Sequence, residues 1–410
     1  MKYIILIGDG MADNAIDELG GKTVLEYAFT PNLDSIAGSG KYGLFATVPQ
    51  GYPPGSDVAN LSILGYDPKK YYTGRAPLEA ASIGVKLSPA DVAFRCNLVT
   101  INDKDGLDVM DDYSAGHITT GEADGIIKTL DREFSKHGVR FYTGTSYRHL
   151  MVWEDAPEGV SAVKTTPPHD ISDKPVAPHL PNGKGDEKLK ALTELSRAVL
   201  KDHPINIKRV AAGKKPATSI WLWGQGMPPA MPTLKERFGV SGSLISAVDL
   251  MKGIAIYAGL DVIKVPGATG YIDTNYKGKA EYALAALEKQ DFVCVHVEAP
   301  DEAGHNGNLK DKLTAVEDFD REVVGRVLDG LERFGEYTVL ALPDHPTPVA
   351  LKTHTPAPVP FALMTSVKSG QRGIVKFSER QAAQTGLLID DCKVMIEEFF
   401  GRPEQVCDLT

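Results

Sequence analysis

Three aspartates stand just beyond three short apolar runs, and two of them have histidines close behind. Asp9 follows residues 3–7 (YIILI) in LIGDG, Asp301 follows Phe292–Val297 in EAPDEAGH, and Asp344-His345 follow Tyr337–Leu342 in LPDH. His305 comes four residues after Asp301, a spacing that sets both side chains on one side of a turn or short helix. His354 comes ten residues after Asp344 in LKTHTPAP. Carboxylate oxygens and imidazole nitrogens in this mixture suit a divalent cation such as Mn, Zn or Mg. One aspartate after a strand is ordinarily a turn former. Three after three strands, with histidines, point to a metal centre. His296 lies inside an apolar run and reads instead as a satisfied core histidine.

The candidate nucleophile is Ser56 in PPGSDVANLSILGYDP, where Val58, Leu61 and Leu64 begin a helical pattern. A serine in that position is ordinarily an N-cap. Beside a metal centre the same position suits phosphoryl transfer, because free helix N–H groups and the helix dipole favour a phosphate. A metal on the hydroxyl lowers its pKa and activates it.

Parallel sheets gather ligands beyond the carboxyl ends of their strands. The three apolar runs are continuous rather than alternating, the pattern of strands buried on both faces of such a sheet. A helical pattern over 311–334 carries Leu313, Val316, Phe319, Val323, Val327 and Leu331, and Gly335 follows as a stop. Residues 282–287 and 244–257 also read as helices. Strand and helix alternation predicts an α/β core. The middle of the chain differs: residues 77–90 turn to Gly, Pro and Ser, and 165–185 read as a long loop. The expectation is a core domain of residues 1–84 and 216–410, interrupted by a smaller α+β domain over 85–215, with hinges near 77–84 and 213–216.

At 410 residues the chain exceeds a single core. Its 42% apolar and 24% charged residues exclude a disordered chain. A net charge of −10 is the wrong sign for a general nucleic-acid partner, yet leaves room for a basic cleft that takes a small anion. No apolar run is long enough to span a membrane, and residues 4–7 read as a core strand, not a signal peptide. Cys96, Cys294, Cys392 and Cys407 lie far apart with no CxxC pair, which predicts buried thiols in a reducing cytoplasm. GxxxxGK[ST] is absent and GDGMADN lacks GxGxxG spacing, so nucleotide-loop chemistry has no motif here.

As a set, GDG, GSDxANxxILGY, GRAPLEA, RCN, ATGxxDT, DEAGHxG and DH…H resembles cofactor-independent phosphoglycerate mutase of the archaeal type, within the alkaline phosphatase superfamily. The resemblance runs along nearly the whole chain. It implies an alkaline-phosphatase-like, mostly parallel sheet flanked by helices, and interconversion of 2- and 3-phosphoglycerate in glycolysis through a phosphoserine at Ser56. It implies two divalent ions, manganese foremost, and no 2,3-bisphosphoglycerate. By resemblance Asp9, Ser56, Asp344 and His345 hold one ion, and Asp301, His305 and His354 hold the other. Arg95, Asn97, Arg148 and Lys252 grip a small phosphorylated substrate. Arg95, in the apolar stretch VAFRCNLV, needs an anionic partner. The chain departs from the family where KGTDEAGH becomes EAPDEAGH, GDHST becomes PDHPT, and DRRAGR becomes Asp112-Tyr113-Ser114-Ala115-Gly116-His117. A branch of this family proposed to be homoserine kinases is similar at these places. Homoserine kinase, phosphomonoester hydrolase and a non-catalytic metal-binding protein are therefore the alternative readings.

Overall fold

The apolar runs become the central strands of a mixed sheet. In the computed structural model, which describes residues 1–366 and 375–404, the sheet has eight strands. Their order is Leu388–Ile389, Lys41–Phe45, Val359–Thr365, Tyr337–Leu342, Lys2–Gly8, Phe292–Val297, Gly242–Ile245 and Asp261–Ile263. Only the two pairings made by Val359–Thr365 are antiparallel; the others are parallel. Ile4 to Ile7, all of Phe292–Val297 and Val339 to Leu342 are buried, as strands covered on both faces must be. Each such aliphatic side chain contributes about 1.5–3 kcal/mol of burial. Register then fixes where chemistry can sit. Gly8 pairs with Val297 and Ile7 with Leu342, so Asp9, Glu298 and Pro343 leave the sheet at one edge.

The expected helix over 311–334 is a relay of segments: Leu309–Asp318, a π-helical stretch Phe319–Gly325, Arg326–Leu331, and a 3₁₀ turn Glu332–Phe334. Asp320, buried in the π-helical stretch, accepts from the backbone N–H groups of Asn32 (3.2 Å) and Leu33 (2.7 Å) and so caps the helix Pro31–Ser39. Residues 276–287 form one helix, longer than the 282–287 read from sequence. The helix read over 244–257 is corrected. Residues Gly242–Ile245 are a strand, and the helix begins at Asp249. Pairing of Leu244 and Ile245 with Cys294 and Val295 outweighs local propensity there.

The serine helix runs Ser56–Ile63 with Gly55, in extended conformation, at its N-cap. Ser56 is therefore the first helical residue and not the cap that its sequence position suggests. The other end of this helix is held by Arg237, which is buried, donates to the carbonyls of Leu64 (3.4 Å) and Gly65 (2.8 Å), and pairs with Glu404 at 2.7 Å.

The chain divides into two compact units, Met1–Tyr72 with Ala230–Thr410, and Thr73–Pro229. The second begins earlier and ends later than 85–215, for a packing reason. Arg75–Ser82, which overlaps the hinge expected at 77–84, is a helix with Ala76 and Ala80 buried against Ala93, Leu150 and Val152. Ser219–Gly226 pairs with the long strand Val92–Lys104. Both expected hinges thus fall inside the second unit. That unit is α+β: five antiparallel strands with the helices Thr120–Phe134 and Asp186–Lys201 closing a core around Phe94, Leu98, Ile127, Leu130, Leu189 and Leu222. The stretch 165–185 holds short 3₁₀ turns and two isolated bridges, Pro175 to Val109 and Asn182 to Lys164. Cys96 and Cys294 are buried free thiols, Cys392 is half-buried, and Cys407 lies outside the described residues. Among the described residues no helix is long and apolar enough to cross a membrane.

His149, buried on the strand Arg148–Trp153, accepts from the Gly144 N–H through Nδ1 at 3.1 Å, and burial pushes its pKa down to about 4. The unfolded chain therefore binds a proton that the folded chain refuses between pH 6.5 and 4. Stability must be lost as the pH drops through that window, by up to about 3 kcal/mol from this group. Urea unfolding at pH 7 and pH 4.5 should show a smaller pH dependence for His149→Gln than for the native chain.

Candidate active site

The sheet edge and the serine helix deliver their polar side chains to one buried cluster within the first unit. Asp344, with no exposure, is held at both oxygens: Oδ1 accepts from the N–H groups of Gly10 (3.1 Å) and His345 (2.8 Å), and Oδ2 from Asn60 Nδ2 (2.9 Å). Asn60 Nδ2 also donates to the Ser56 carbonyl at 2.8 Å. One amide thus ties the first turn of the serine helix to the strand end that carries Asp344. His345 Nε2 lies 3.1 Å from Ser56 Oγ, 3.5 Å from Asp344 Oδ2 and 3.7 Å from Asp9 Oδ1. Asp9 is buried, and its Oδ1 has no hydrogen-bond partner.

Beside this group, Asp301, His305 and His354 bring their ligand atoms within 4.8 Å of one another. Asp301 and His305 lie on the short helix Ala299–His305, so their four-residue spacing does place both on one side. Their hydrogen bonds show what charge the group calls for. His305 Nδ1 faces the Lys352 carbonyl (3.1 Å) and His354 Nδ1 the Pro54 carbonyl (3.4 Å), so each Nδ1 carries the proton that it donates. Neutral rings then present bare lone pairs at both Nε2 atoms, which are 2.8 Å apart and 3.3–3.4 Å from the Asp301 oxygens. Lone pairs facing lone pairs and a carboxylate require a cation between them. Without a metal a proton takes that place: the hydrogen bond to Asp301 lifts His305 to about 9.

Electrostatics across the cluster lead to the same conclusion. Burial, then the Asp344 and Asp301 carboxylates, push Asp9 well above the usual carboxylate range. Burial alone would raise Asp301, but hydrogen bonds from His305 and His354 outweigh it and hold the group well below. Three buried carboxylates this close cannot all ionise unless positive charge joins them. The donor set of oxygens and imidazole nitrogens, with the orphaned Asp9 oxygen, fits divalent cations.

Several contributors are missing from the sequence-based set. His296 is not an ordinary core histidine. It has no exposure, its Nε2 lies 3.1 Å from Asp9 Oδ2, and with Asp9 and Asp344 it forms a further group of possible ligands. Only its register opposite Ile7 betrays this, since apolar neighbours hide it in the sequence. Asn60 lies in the ANL stretch after Ser56, four residues on, and that helical spacing is the signal that could have found it. Glu298, where the family resemblance expects a cation, is raised to about 7, by burial first and then by Glu302 and Asp301. The fully buried Lys279 attracts it and donates to the His296 carbonyl at 2.9 Å, so positive charge enters from another helix.

The expected substrate residues fall in two places. Arg95, Asn97 and Arg148 share one face of the sheet in the second unit, Asn97 being paired with Arg148. The anionic partner that Arg95 needs is Glu79, at 3.0 Å, and its guanidinium lies over the Trp223 ring at 4.0 Å. Asn97 accepts from Trp223 Nε1 (3.0 Å) and donates to the Tyr113 carbonyl (3.3 Å). Arg148 is exposed. Lys252, in the first unit, pairs with Asp249 at 2.9 Å.

Elemental analysis of protein incubated with manganese and desalted should find two ions per chain. His354→Ala should keep the ion held by Asp9 and Asp344 and lose the other, and Asp344→Ala should do the reverse. A single ion in the native protein, or no selective loss, would contradict the geometry.

Comparisons with known proteins give the family. A family profile described as 2,3-bisphosphoglycerate-independent phosphoglycerate mutase matches residues 37–206. A probable 2,3-bisphosphoglycerate-independent phosphoglycerate mutase of Geobacter sulfurreducens is 54% identical over 402 residues, covering 98% of this chain and 100% of the relative. The enzyme of that name from Methanosarcina acetivorans is 56% identical over 396 residues, covering 92% and 98%. The solved structure of the PH0037 protein from Pyrococcus horikoshii superposes with a TM-score of 0.81 at 30% identity, covering 99% of this chain and 100% of that one. With more than half of its residues shared over nearly its whole length, the chain belongs to the 2,3-bisphosphoglycerate-independent phosphoglycerate mutase family.

Proposed function

We propose that the protein interconverts 2- and 3-phosphoglycerate through a phosphoserine at Ser56, using two divalent ions and no 2,3-bisphosphoglycerate. The observation that carries this is Ser56 Oγ, at the first helical position and 3.1 Å from His345 Nε2, beside the buried carboxylates. In this reading Asp9, Ser56, Asp344 and His345 hold one ion, and Asp301, His305 and His354 the other, with manganese preferred. When bound, the ions supply positive charge that lowers the pKa of the serine hydroxyl and offsets the charge of the phosphoryl group.

The chain's own groups do the rest. Asn60 and Asp344 hold the first turn of the helix, and with it the Ser56 backbone, beside the buried carboxylates. The amides of that turn and the helix dipole favour the anionic group once it sits on the serine. Ser56 Oγ gives up its proton as its bond to phosphorus forms, the bond from phosphorus to the substrate oxygen breaks, and that oxygen takes up a proton. The phosphoryl group then returns to the neighbouring hydroxyl of the same glycerate, which gives up its proton as the Ser56 Oγ–P bond breaks and Ser56 Oγ takes one up. Arg148 and Lys252, with Arg95 and Asn97, would take the carboxylate and phosphate of the substrate. A small glycolytic substrate and the free thiols of Cys96 and Cys294 suit a reducing cytoplasm.

A second reading rests on Glu298. A carboxyl where the family has a cation weakens the attraction for an anionic substrate and leaves room for phosphoryl transfer to homoserine or to water. An activity panel on manganese-loaded protein with 3-phosphoglycerate, homoserine plus ATP, and a generic phosphomonoester separates the three, and mutase activity should dominate. Brief incubation with 3-phosphoglycerate, acid quench and peptide mass mapping should place one phosphate on Ser56. Ser56→Ala should fold normally, because Gly55 and not Ser56 occupies the cap, and should lose at least about 10³-fold in kcat. Native turnover by a folded Ser56→Ala protein would overturn the phosphoserine.

A further inference from the structure

Lys312 lies within the helix Leu309–Asp318 and has no exposure. Its three ammonium hydrogens are all spent: on Asp13 Oδ2 (2.8 Å), on the Ala12 carbonyl (3.2 Å) and on the Thr347 carbonyl (2.8 Å). Ala12 and Asp13 belong to the loop that carries Asp9, and Thr347 to the loop that carries Asp344 and His345. One buried cation thus staples two ligand-bearing loops. Asp13 Oδ2 also accepts from the Val349 N–H (3.1 Å), and the Thr347 N–H donates to the Ala12 carbonyl (3.2 Å).

The side chain held by this staple faces both groups of ligands. Thr347 Oγ1 bonds to Asp301 Oδ1 and lies 3.2 Å from His345 Nδ1. A hydroxyl has one hydrogen, and Thr347 Oγ1 donates it to Asp301 Oδ1. His345 Nδ1 must then be the donor to Thr347, which leaves the Nε2 lone pair directed toward Ser56, Asp9 and Asp344. The pocket around Thr347 is tight. A Cβ at Gly10 would lie 2.7 Å from Thr347 Oγ1, and one at Gly304 would lie 2.4 Å from the Thr347 carbonyl.

We propose that Thr347, anchored by Lys312, is a positioning residue that sets the His345 tautomer and couples the two ion positions. It ligates neither ion. This rests on the two-ion reading above, and the test keeps the two apart. Metal-stripped full-length protein is titrated with Co(II), following visible absorption and stoichiometry, while thermal unfolding without metal checks the fold. Native protein should bind two Co(II) ions. Thr347→Val, which keeps the shape and removes the hydroxyl, should bind Co(II) about ten- to hundred-fold more weakly at both positions, with a changed spectrum. Thr347→Ser should restore both. Lys312→Met should weaken binding in the same direction, and Thr347→Ala reads the same quantities if valine is not accommodated. A folded Thr347→Val or Thr347→Ala protein with native Co(II) affinities and spectrum overturns the brace and leaves the two-ion reading standing. Fewer than two ions in the native protein overturns both.

Discussion

Everything in the first unit answers to one electrostatic constraint: Asp9, Asp301 and Asp344 are buried together at the carboxyl edge of one sheet. Carboxylates in such a place resist ionisation unless cations compensate them. The protein compensates partly with its own groups. Lys312 is spent on Asp13 and two carbonyls, Lys279 lies beside Glu298, and His305 and His354 hydrogen-bond to Asp301. Lys279 also acts on Asp9 through space, yet Asp9 Oδ1 has no hydrogen-bond partner. The remaining deficit of positive charge at that oxygen suits a divalent ion, and parallel register is what gathers these groups. Strands that run the same way end together, whereas antiparallel strands would scatter their ends to opposite edges.

This explains which features could be read from the sequence. YIILI, FVCVHV and YTVLAL are apolar without alternation, so their doubly buried state and shared direction follow from composition alone. The residues that come next inherit a common position. His296 fails the same test, because within an apolar strand a histidine facing a ligand and one packed in the core have identical neighbours. Only its register opposite Ile7, beside Asp9, separates the two. Asn60 is similar: the amide is conspicuous in a buried helical stretch, but its bond to Asp344 spans 284 residues. Residues 244–245 were hidden for another reason. Their strand is only four residues long, and its pairing with Phe292–Val297 is decided by contacts that no local window contains.

The second unit was less legible, and its boundaries show why. Its long strand Val92–Lys104 is paired on both sides, and the partner Ser219–Gly226 lies more than a hundred residues downstream. Gly- and Pro-containing text around residue 77 looks like a linker, yet RAPLEAAS has a proline within its first turn, where the missing N–H costs nothing. The helix then buries its alanines against the sheet. Composition marked a change of texture there, while the boundary itself is set by packing.

Chemistry is encoded more redundantly than substrate choice in this chain. The serine, the carboxylates and the imidazoles are each fixed by at least one backbone or side-chain bond inside the first unit, so their identities and positions constrain one another. The groups that would choose the anion are held less firmly. Arg95 already has Glu79 and the Trp223 ring, Lys252 rests on Asp249, and Arg148 is exposed. An arginine with a carboxylate partner at 3.0 Å attracts a second anion less strongly than a bare one, because part of its charge is already offset. A change at Glu79 that bares the charge of Arg95 would leave the bonds that hold Ser56 in place untouched, because those bonds lie wholly within the first unit.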